Sequence, residues 1–297
     1  MDKLEMAEII RTSHGFDIEE ITEVSGGISG ADKFKVRFDG KNWIAKIVEA
    51  SEERVRWYEA LAQTECEYLA VPRYISALGH NKALCIAPWI DGQMLETVFS
   101  SLDSETIQEF GRQTASVLKE LHSRKTGITG YEKLLKLKTD RLCSGLNDQC
   151  ADFPGKDECI KYIQQYAEKI AIDSVACLHR DIRPENIIIN NRHVCLIDFD
   201  NGMFGEPEAD FVYLTTMGDK AHIPFSVAVI RSYLKGCDEQ KFWEKNMFYS
   251  TLQVMDYTLW KYQRKGRVSK NQVQNLLDQY DHFRSPEPVW MKEKEIK

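Results

Sequence analysis

Four polar residues between positions 179 and 198 have the types and the spacing that phosphoryl transfer requires. In the run His179-Arg180-Asp181, the aspartate is followed five residues later by Asn186, and Asp198 follows twelve residues after that. Such a transfer needs a carboxylate that orients the attacking hydroxyl and accepts its proton, and oxygen ligands that hold magnesium on the phosphates. Asp181 suits the first role, and Asn186 and Asp198 suit the second. An ordered set of this kind rarely arises by chance.

The apolar segments around these residues predict how the side chains would be positioned. Residues 187–189 and 194–197 are short runs rich in isoleucine and valine, which predict two strands. The asparagine pair at 190–191 suits a turn between them. A hairpin of this kind would bring Asp198 back towards Asn186.

Residues 18–48 carry the signals of an antiparallel sheet. Residues 34–38 alternate between apolar and basic side chains, and the Asp-Gly pair at 39–40 suits the φ > 0 of a tight hairpin turn. The returning strand, residues 43–48, contains Lys46. Strands are also expected at 18–24 and 82–86, and the serine and glycine run at 25–30 predicts a turn whose N–H groups can approach a phosphate closely.

Helical patterns dominate the rest of the chain. Helices are expected at 4–12, 51–63, 102–122 and 157–172 and over most of 206–285, whereas residues 125–155 give no clear pattern. The sequence therefore predicts an α+β fold with an N-terminal antiparallel-sheet lobe at 1–91 and a mostly helical lobe at 92–297.

Composition and charge exclude several classes of protein. Hydrophobic residues make up 43% and charged residues 29%, and the net charge of −7 argues against an extended basic surface for nucleic acid. None of the eight cysteines forms a C-x-x-C pair, and Cys85, Cys177 and Cys195 lie in apolar stretches, so we expect buried, reduced thiols. The charged N-terminal residues lack the apolar core of a signal peptide, and no apolar run reaches the roughly 18 residues of a membrane helix. We expect a cytoplasmic monomer without nucleic-acid or membrane partners.

The segment at 179–186, H-R-D-I-R-P-E-N, resembles the catalytic loop of protein kinases. The wider chain is more similar to the aminoglycoside phosphotransferase and choline-kinase-like family of small-molecule kinases. Its glycine turn reads S-G-G-I-S-G rather than G-x-G-x-x-G, residues 198–200 read D-F-D rather than D-F-G, and no A-P-E sequence follows. The long separation of Lys46 from Asp181 suits the helical insertion of that family, and G-E-P-E-A-D-F at 205–211 matches its pattern after the metal aspartate.

This resemblance implies a two-lobe protein-kinase-like fold, with a nucleotide-binding N-terminal lobe and a catalytic and acceptor-binding C-terminal lobe. It gives a role to each matching residue. Asp181 would be the catalytic base, and Asn186 and Asp198 would bind Mg²⁺. Lys46 would pair with the α- and β-phosphates of ATP or GTP, and the alternative is a solvated strand lysine.

Other positions complete the implied nucleotide site. The glutamate partner of the strand lysine would be Glu59 on the next helix, with Glu53 as the alternative. Arg183 would touch the γ-phosphate or else pair with a surface carboxylate. The remaining matches are three turn residues over the phosphates and two linker residues whose backbone would hold the purine: Gly26, Gly27, Ser29, Pro88 and Ile90.

Three further residues of the matched region are expected to support the site. His179 would hydrogen-bond the backbone and brace the catalytic loop. Asp200 would help to bind metal or support a residue that does. Asp210 would cap the following helix or brace the catalytic loop.

The acceptor is expected to bind to the C-terminal helices and the insertion. Asp256 and Trp260 are the candidates, because a carboxylate and an aromatic ring suit an amine, and the alternatives are a solvated acid and a core aromatic residue. The leading prediction is Mg²⁺-dependent transfer of a nucleotide γ-phosphate to a hydroxyl of an aminoglycoside-type antibiotic, which would confer antibiotic resistance. The alternatives are a metabolic kinase of an amino alcohol or sugar, a protein Ser/Thr kinase, and a nucleotide-binding protein without catalysis.

Overall fold

The computed structural model describes residues 1–24, 32–49, 51–62, 68–124, 128–217 and 220–293. The chain divides into two compact units. The first comprises Met1–Ser101 and Pro184–Met203, and the second comprises Leu102–Arg183 and Phe204–Lys297. The division between residues 91 and 92 into a nucleotide-binding lobe and a catalytic lobe stays a prediction.

A five-stranded antiparallel sheet forms the core of the first unit. Its strands are β1 (Glu20–Val24), β2 (Lys33–Phe38), β3 (Lys41–Glu49), β4 (Tyr74–Gly79) and β5 (Lys82–Pro88). Their order in the sheet is β1-β2-β3-β5-β4. Phe34, Val36 and Phe38 are fully buried, as their alternation with basic residues predicts. Asp39 and Gly40, with φ of 49° and 67°, make the predicted hairpin turn, which confirms the N-terminal antiparallel sheet.

Three helices belong to the same unit: α1 (Lys3–His14), α2 (Glu52–Ala62) and α3 (Leu95–Val98). Helix α1 begins with a capping box formed by Asp2 and Glu5 and packs Met6 and Ile10 into the core that the sheet contributes. The Ser51 hydroxyl accepts a hydrogen bond from the first turn of α2 and caps it, as the sequence predicts.

A smaller antiparallel sheet in the first unit contains the predicted hairpin. Its strands are β6 (Gln93–Met94), β8 (Ile187–Asn190) and β9 (His193–Leu196), in the order β6-β8-β9. Gly92 has a φ of 145° and lies against the carbonyl of Ile189, where a Cβ atom would clash with the backbone. Asn186 directly precedes β8, and Asp198 follows β9. The N–H of Ile197 donates to the carbonyl of Asn186 at 3.0 Å, so the two ends of the hairpin stay together.

The second unit is mostly helical. Its helices are α4 (Ser104–Ser123), α5 (Tyr131–Gln149), α6 (Lys156–Ala167), α7 (Ile223–Leu234), α8 (Glu239–Lys265), α9 (Lys270–Gln279) and α10 (Val289–Glu293). The strand β7 (Ala176–Leu178) pairs with β10 (Met203–Gly205) and leads into residues 179–183. Together with the sheet of the first unit, these helices give the predicted α+β fold. Among the described residues, no helix combines the length and the apolar character needed to cross a membrane.

Helix α5 lies within residues 125–155, the segment without a clear pattern in the sequence. Two of its leucines, Leu134 and Leu137, are exposed, so apolar residues lie on two faces and blur the amphipathic period. Its N-cap is Gly130, with a φ of 77° and no side-chain cap, so the usual start signal is also missing.

Helices α5 and α8 lie side by side and run in the same direction. Gly145 of α5 lies against Leu259 of α8, where a Cβ atom would come within 2.8 Å of the leucine side chain. One turn further along both helices, the amide of Gln263 donates to Gln149 at 2.8 Å. The facing stretches 138–149 and 253–263 are called the α5–α8 seam.

Seven cysteines lie in the described part of the chain, and their thiols are reduced. Six of them are buried, including Cys85, Cys177 and Cys195, as the sequence predicts, and Cys237 is exposed. Burial raises the pKa of Cys85 to about 12 and that of Cys177 to about 11. These buried thiols therefore stay protonated and unreactive near neutral pH.

Candidate functional site

Lys46 and Asp198 form an ion pair in the first unit. Lys46 lies on β3 and is only 8% exposed, and its Nζ lies 2.8 Å from Oδ1 of Asp198. Lys33 on β2 lies 3.6 Å from Oδ2 of the same carboxylate. Burial alone would raise the pKa of Asp198, but the charge and hydrogen bond of Lys46 and the charge of Lys33 outweigh it and hold the pKa below its usual range. Asp198 is therefore ionised, and Lys46 is a buried, paired lysine rather than a solvated one.

Asp200 shares the same lysine. Its Oδ1 lies 2.5 Å from Nζ of Lys46. Burial raises the pKa of Asp200, and the positive charge of Lys46 lowers it. The negative charge of Asp198 raises the pKa again, so the pKa of Asp200 lies above its usual value. Burial would lower the pKa of Lys46, but the two carboxylates keep it raised. The lysine is thus held as a cation between two acidic groups.

Helix α2 contacts this acidic segment through its first two turns. Arg54 donates a hydrogen bond to the backbone carbonyl of Asp200, and the hydroxyl of Tyr58 lies 3.4 Å from Oδ1 of that residue. Glu59, the glutamate expected to pair with Lys46, is exposed. Lys46 instead pairs with the two aspartates described above, and the side chain of the alternative, Glu53, lies outside the described residues.

Asn186 lies next to Asp198 at the end of the hairpin and is buried, with 5% exposure. Asp198 has a φ of 64°, a left-handed conformation that is uncommon for aspartate and is often found at functional sites. The two side chains offer amide and carboxylate oxygens, which are the donors that Mg²⁺ prefers. Because Asp198 is ionised by its surroundings, the residues present fit a magnesium ion. The described residues contain no group of three or more His, Cys, Asp or Glu side chains that could hold a metal.

The segment 179–183 belongs to the second unit and carries the predicted catalytic aspartate. Asp181 and Arg183 are both half-buried, and Nε of Arg183 lies 3.4 Å from Oδ1 of Asp181. The guanidinium of Arg183 also lies 5.5 Å above the ring of Tyr213. His179 is fully buried, and its Nδ1 accepts a hydrogen bond from the N–H of Asp181 at 3.3 Å, the bracing contact expected for it.

The side chain of Asp210 stabilises the backbone of the segment 179–183. Its carboxylate accepts hydrogen bonds from the N–H groups of His179, at 2.9 Å, and Arg180, at 2.6 Å. Arg180 has a φ of 69°, so its backbone adopts a conformation that needs such support. Nε2 of His122 on α4 lies 2.9 Å from the same carboxylate, and Nδ1 of His122 lies 2.7 Å from the hydroxyl of Tyr233. Two roles are expected for Asp210, capping the following helix or bracing the catalytic loop, and these contacts correspond to the second.

The predicted purine-binding residues lie at the end of β5. Pro88 pairs with Trp43 of β3, and Ile90 follows two residues later; both are half-buried. The N–H of Trp89 between them donates to the carbonyl of Asn42 at 3.1 Å, so this linker is fixed to the sheet. The predicted phosphate turn, Gly26, Gly27 and Ser29, lies outside the described residues.

The two acceptor candidates lie on the exposed side of α8. Asp256 is exposed on the α5–α8 seam, one turn after Gln253, whose side chain accepts a hydrogen bond from Arg180. Trp260 is 41% exposed, with its ring stacked on Tyr257 at 5.6 Å. Neither side chain is part of the core, so both are accessible to a ligand.

Lys138 on α5 is a seam residue that the sequence did not single out. Its side chain is accessible to solvent, but crowding by neighbouring groups lowers its pKa, the nearby cation Arg180 lowers it further, and Asp256 raises it. The α5–α8 seam therefore carries a basic residue, Lys138, and an acidic residue, Asp256, close to Arg180, which directly precedes Asp181.

Patterns in the sequence do not predict the site contacts that join residues far apart along the chain. The contact of Arg54 with Asp200 joins positions 146 residues apart, and that of His122 with Asp210 joins positions 88 apart. The one available signal was the aspartate at position 200, where the kinase pattern has glycine, and the sequence left its role open.

Solved structures of several phosphotransferases resemble this chain. A thermostable mutant of aminoglycoside phosphotransferase APH(4)-Ia, in complex with AMP-PNP and hygromycin B, has a TM-score of 0.67 at 12% identity, covering 95% of this chain and 98% of that one. A gentamicin complex of APH(2")-IIa has a TM-score of 0.64 at 20% identity, with coverages of 95% and 98%. Spectinomycin phosphotransferase APH(9)-Ia, with ADP and spectinomycin, has a TM-score of 0.60 at 14% identity, with coverages of 98% and 97%.

None of the curated proteins matches the chain. The APH family model, described as the phosphotransferase enzyme family, matches residues 20–243, which is more than half of the 297 residues. The solved structures share the protein-kinase-like fold predicted from the sequence. Because this match covers more than half of the chain, the chain belongs to the phosphotransferase enzyme family.

Proposed function

We propose that the protein transfers the γ-phosphate of a nucleotide to a hydroxyl group of a small molecule in a Mg²⁺-dependent reaction. The observation that carries this proposal is the 2.8 Å pairing of Lys46 with Asp198. It joins a cation suited to the nucleotide phosphates with an ionised carboxylate suited to the metal. The family supplies the reaction class.

The nucleotide, ATP or GTP, is assigned to the first unit. Lys46 would bind the α- and β-phosphates, and the turn that the sequence predicts at Gly26, Gly27 and Ser29 would bind them through its N–H groups. The carbonyl of Pro88 and the N–H of Ile90 would bind the purine. Support comes from the similar structures with AMP-PNP and ADP, and from the buried position of the lysine.

Asn186 and Asp198 would hold the magnesium ion. When bound, the ion would neutralise negative charge on the phosphates. Asp198 meets this requirement because the neighbouring lysines keep it ionised. Asn186 contributes a neutral oxygen, so the site does not accumulate further charge.

Asp181 would orient the acceptor hydroxyl and take its proton. Arg183 lies close enough to fix the orientation of that carboxylate, at 3.4 Å, and its guanidinium would also face the γ-phosphate. The backbone of the loop is held by Asp210, so the carboxylate sits on a braced segment.

The leading acceptor class is an aminoglycoside-type antibiotic, which would make the protein a resistance enzyme. Hygromycin B, gentamicin and spectinomycin are the molecules in the similar structures. Asp256 and Trp260 would contact the amines of the acceptor. A metabolic kinase of an amino alcohol or sugar is the second candidate, and Lys138 favours it, because a cation on the seam repels a polycationic acceptor more strongly than a singly charged or neutral one.

The test is a coupled nucleotide-consumption assay with ATP and with GTP across aminoglycosides, amino alcohols, sugars and a generic protein, with Mg²⁺ or with a chelator. Phosphorylated acceptors are identified by mass spectrometry, and Asp181→Asn is the matched inactive variant. Turnover with a small-molecule alcohol that needs both Mg²⁺ and Asp181 is expected. Phosphorylation of the protein alone would refute the acceptor class, and nucleotide binding without any turnover would favour a non-catalytic protein.

We also propose that the protein is cytoplasmic, is a monomer and acts without a nucleic-acid or membrane partner. The acidic balance of the sequence, with a net charge of −7, supports the absence of nucleic acid. Size-exclusion chromatography with light scattering would test the oligomeric state.

A further inference from the structure

Two carboxylates hold the ammonium group of Lys46, and only one of them has a role in the proposed function. Asp198 Oδ1 lies 2.8 Å from Nζ of Lys46, and Asp200 Oδ1 lies 2.5 Å from it. A carboxylate that binds Mg²⁺ directs oxygen lone pairs to the metal and has less to offer a lysine. Once Asp198 serves the metal, Asp200 is the described carboxylate that remains on the lysine.

Asp200 is itself fixed from two sides. Helix α2 reaches its backbone carbonyl through Arg54 and approaches its carboxylate through the hydroxyl of Tyr58 at 3.4 Å. Asp200 also lies in the short helical turn Phe199–Asn201, which is closed by a 3.0 Å hydrogen bond from Gly202 to Phe199. An anchored carboxylate can orient a lysine, whereas one on a free side chain cannot.

The position expected for this role from the family resemblance has a different environment. Glu59 on α2 is exposed, and the carboxylates that the structure describes beside Lys46 come from the segment 198–200. That segment reads Asp-Phe-Asp, so the residue that would be glycine in the protein-kinase pattern supplies a carboxylate here. Helix α2 still contributes, through Arg54 and Tyr58, which hold the aspartate rather than the lysine.

We infer that Asp200 is the positioning residue that orients Lys46 towards the nucleotide phosphates, in the role expected of Glu59. This inference rests on the proposed function, because the lysine must bind phosphate for its orientation to matter. The competing reading is that Asp200 is a further metal ligand. The two roles predict different effects in the absence of metal, when a metal ligand no longer contributes to nucleotide binding but an oriented lysine still does.

The decisive measurement is the dissociation constant of ADP, by calorimetry, in chelator and then with Mg²⁺. In chelator, Asp200→Asn should weaken ADP binding about tenfold, because the lysine loses the charge-assisted contact of the anchored carboxylate and keeps only that of Asp198. Glu59→Gln, the same chemical change at the rival position, should leave binding as in the wild type. Asp39→Asn, in the exposed hairpin turn, is the control for loss of one negative charge.

A double-mutant cycle separates positioning from a general effect of charge. In the Lys46→Met background, Asp200→Asn should have almost no further effect on ADP affinity, because the group it positions is gone. Asp200→Glu should recover part of the lost affinity, since the carboxylate is retained. Thermal melts of each variant establish that it is folded. If Asp200→Asn does not fold, Tyr58→Phe replaces it, because this variant keeps the charges of Lys46 and Asp200 and removes only the hydroxyl that approaches the aspartate. Tyr58→Phe should weaken ADP binding about twofold.

The results that overturn the inference are distinct from failure of the proposed function. If Asp200→Asn binds ADP in chelator as well as or better than the wild type and only its Mg²⁺ requirement rises, Asp200 is a metal ligand. Equal effects of Asp200→Asn with and without Lys46 would also refute positioning. If the wild-type protein binds neither ADP nor GDP, the proposed nucleotide site itself is wrong.

Discussion

Nε2 of His122 lies 2.9 Å from Oδ2 of Asp210, and both side chains are almost completely buried. The same carboxylate accepts the backbone N–H groups of His179 and Arg180. Helix α4 is therefore connected, through one buried aspartate, to the loop that carries Asp181. A buried carboxylate with this many donors stabilises a single loop conformation, and loss of its charge leaves the donors unsatisfied.

Asp210→Asn should destabilise the protein without changing any group assigned to substrate. Each hydrogen bond to a buried charged group contributes about 1.5–3 kcal/mol, so the variant should melt at a clearly lower temperature. Differential scanning calorimetry measures this change. The exposed hairpin residue Asp39 offers a matched control, because Asp39→Asn changes the same group outside any buried network. A melting temperature for Asp210→Asn equal to that of the control would contradict the role of this carboxylate as a brace.

The stability provided by Asp210 should depend on pH in acid. Burial would raise the pKa of Asp210, but the hydrogen bond and charge of His122, with further contributions from His179, hold it below its usual value. A group whose folded pKa is depressed stabilises the native state above its unfolded pKa of about 3.9 and loses that contribution as the pH falls through the folded value. The melting-temperature difference between the wild type and Asp210→Asn should therefore be constant near neutral pH and shrink below about pH 4. A difference that grows in acid would refute the assignment.

Asp181→Asn should leave nucleotide affinity nearly unchanged and reduce kcat by about 10²–10⁴-fold, the usual contribution of general acid–base catalysis. The amide keeps the size of the side chain but cannot accept the hydroxyl proton. Steady-state kinetics and ADP calorimetry on the same preparation measure the two quantities. Normal turnover by the variant would exclude Asp181 as the base.

Asp198→Ala should abolish the Mg²⁺ dependence of nucleotide binding. The wild type should bind ADP more tightly with Mg²⁺ than in chelator, whereas the variant should give similar affinities in both, because its metal ligand is missing. Calorimetric titrations under the two conditions compare them. A variant that keeps the full Mg²⁺ effect would show that Asp198 is not a ligand of the metal.

Lys138→Gln should discriminate between the two acceptor classes. For an aminoglycoside, which is polycationic, removal of a like charge from the seam should lower the acceptor KM severalfold at low salt, and less at high salt because ions screen the charge. Lys133→Gln, an exposed lysine on the same helix, is the control. An unchanged KM would instead favour a sugar, because the charge of the lysine has little effect on a neutral acceptor.

The strands and most helices could be predicted from the sequence because their signals are local. The alternation at 34–38 and the Asp-Gly turn that follows it correctly give the hairpin of β2 and β3. The order of Asp181, Asn186 and Asp198 correctly indicates the family, because spacing along the chain is what defines its motif. Each of these inferences needs only a short stretch of chain.

The partner of Lys46 could not be predicted in the same way. Lys46 and Asp198 are 152 positions apart, and only packing of the hairpin against β3 decides which carboxylate reaches the ammonium group. The sequence favoured Glu59 by analogy, and that pairing stays a prediction, whereas the structure gives the lysine two aspartates and leaves Glu59 exposed. Helix α5 was missed for a different reason, because its exposed leucines disguise its period.

The unequal burial of the cysteines makes the protein convenient for spectroscopy. In the described part of the chain, Cys237 is exposed beyond the end of α7, whereas the other six cysteines are buried. Burial also raises the pKa of the Cys85 and Cys177 thiols, which therefore remain protonated. A maleimide dye should therefore attach at Cys237 well before it reaches those six. With Cys66, which lies outside the described residues, replaced by serine, a dye on Cys237 would allow the proposed binding of nucleotide and acceptor to be tested by fluorescence without rebuilding the core.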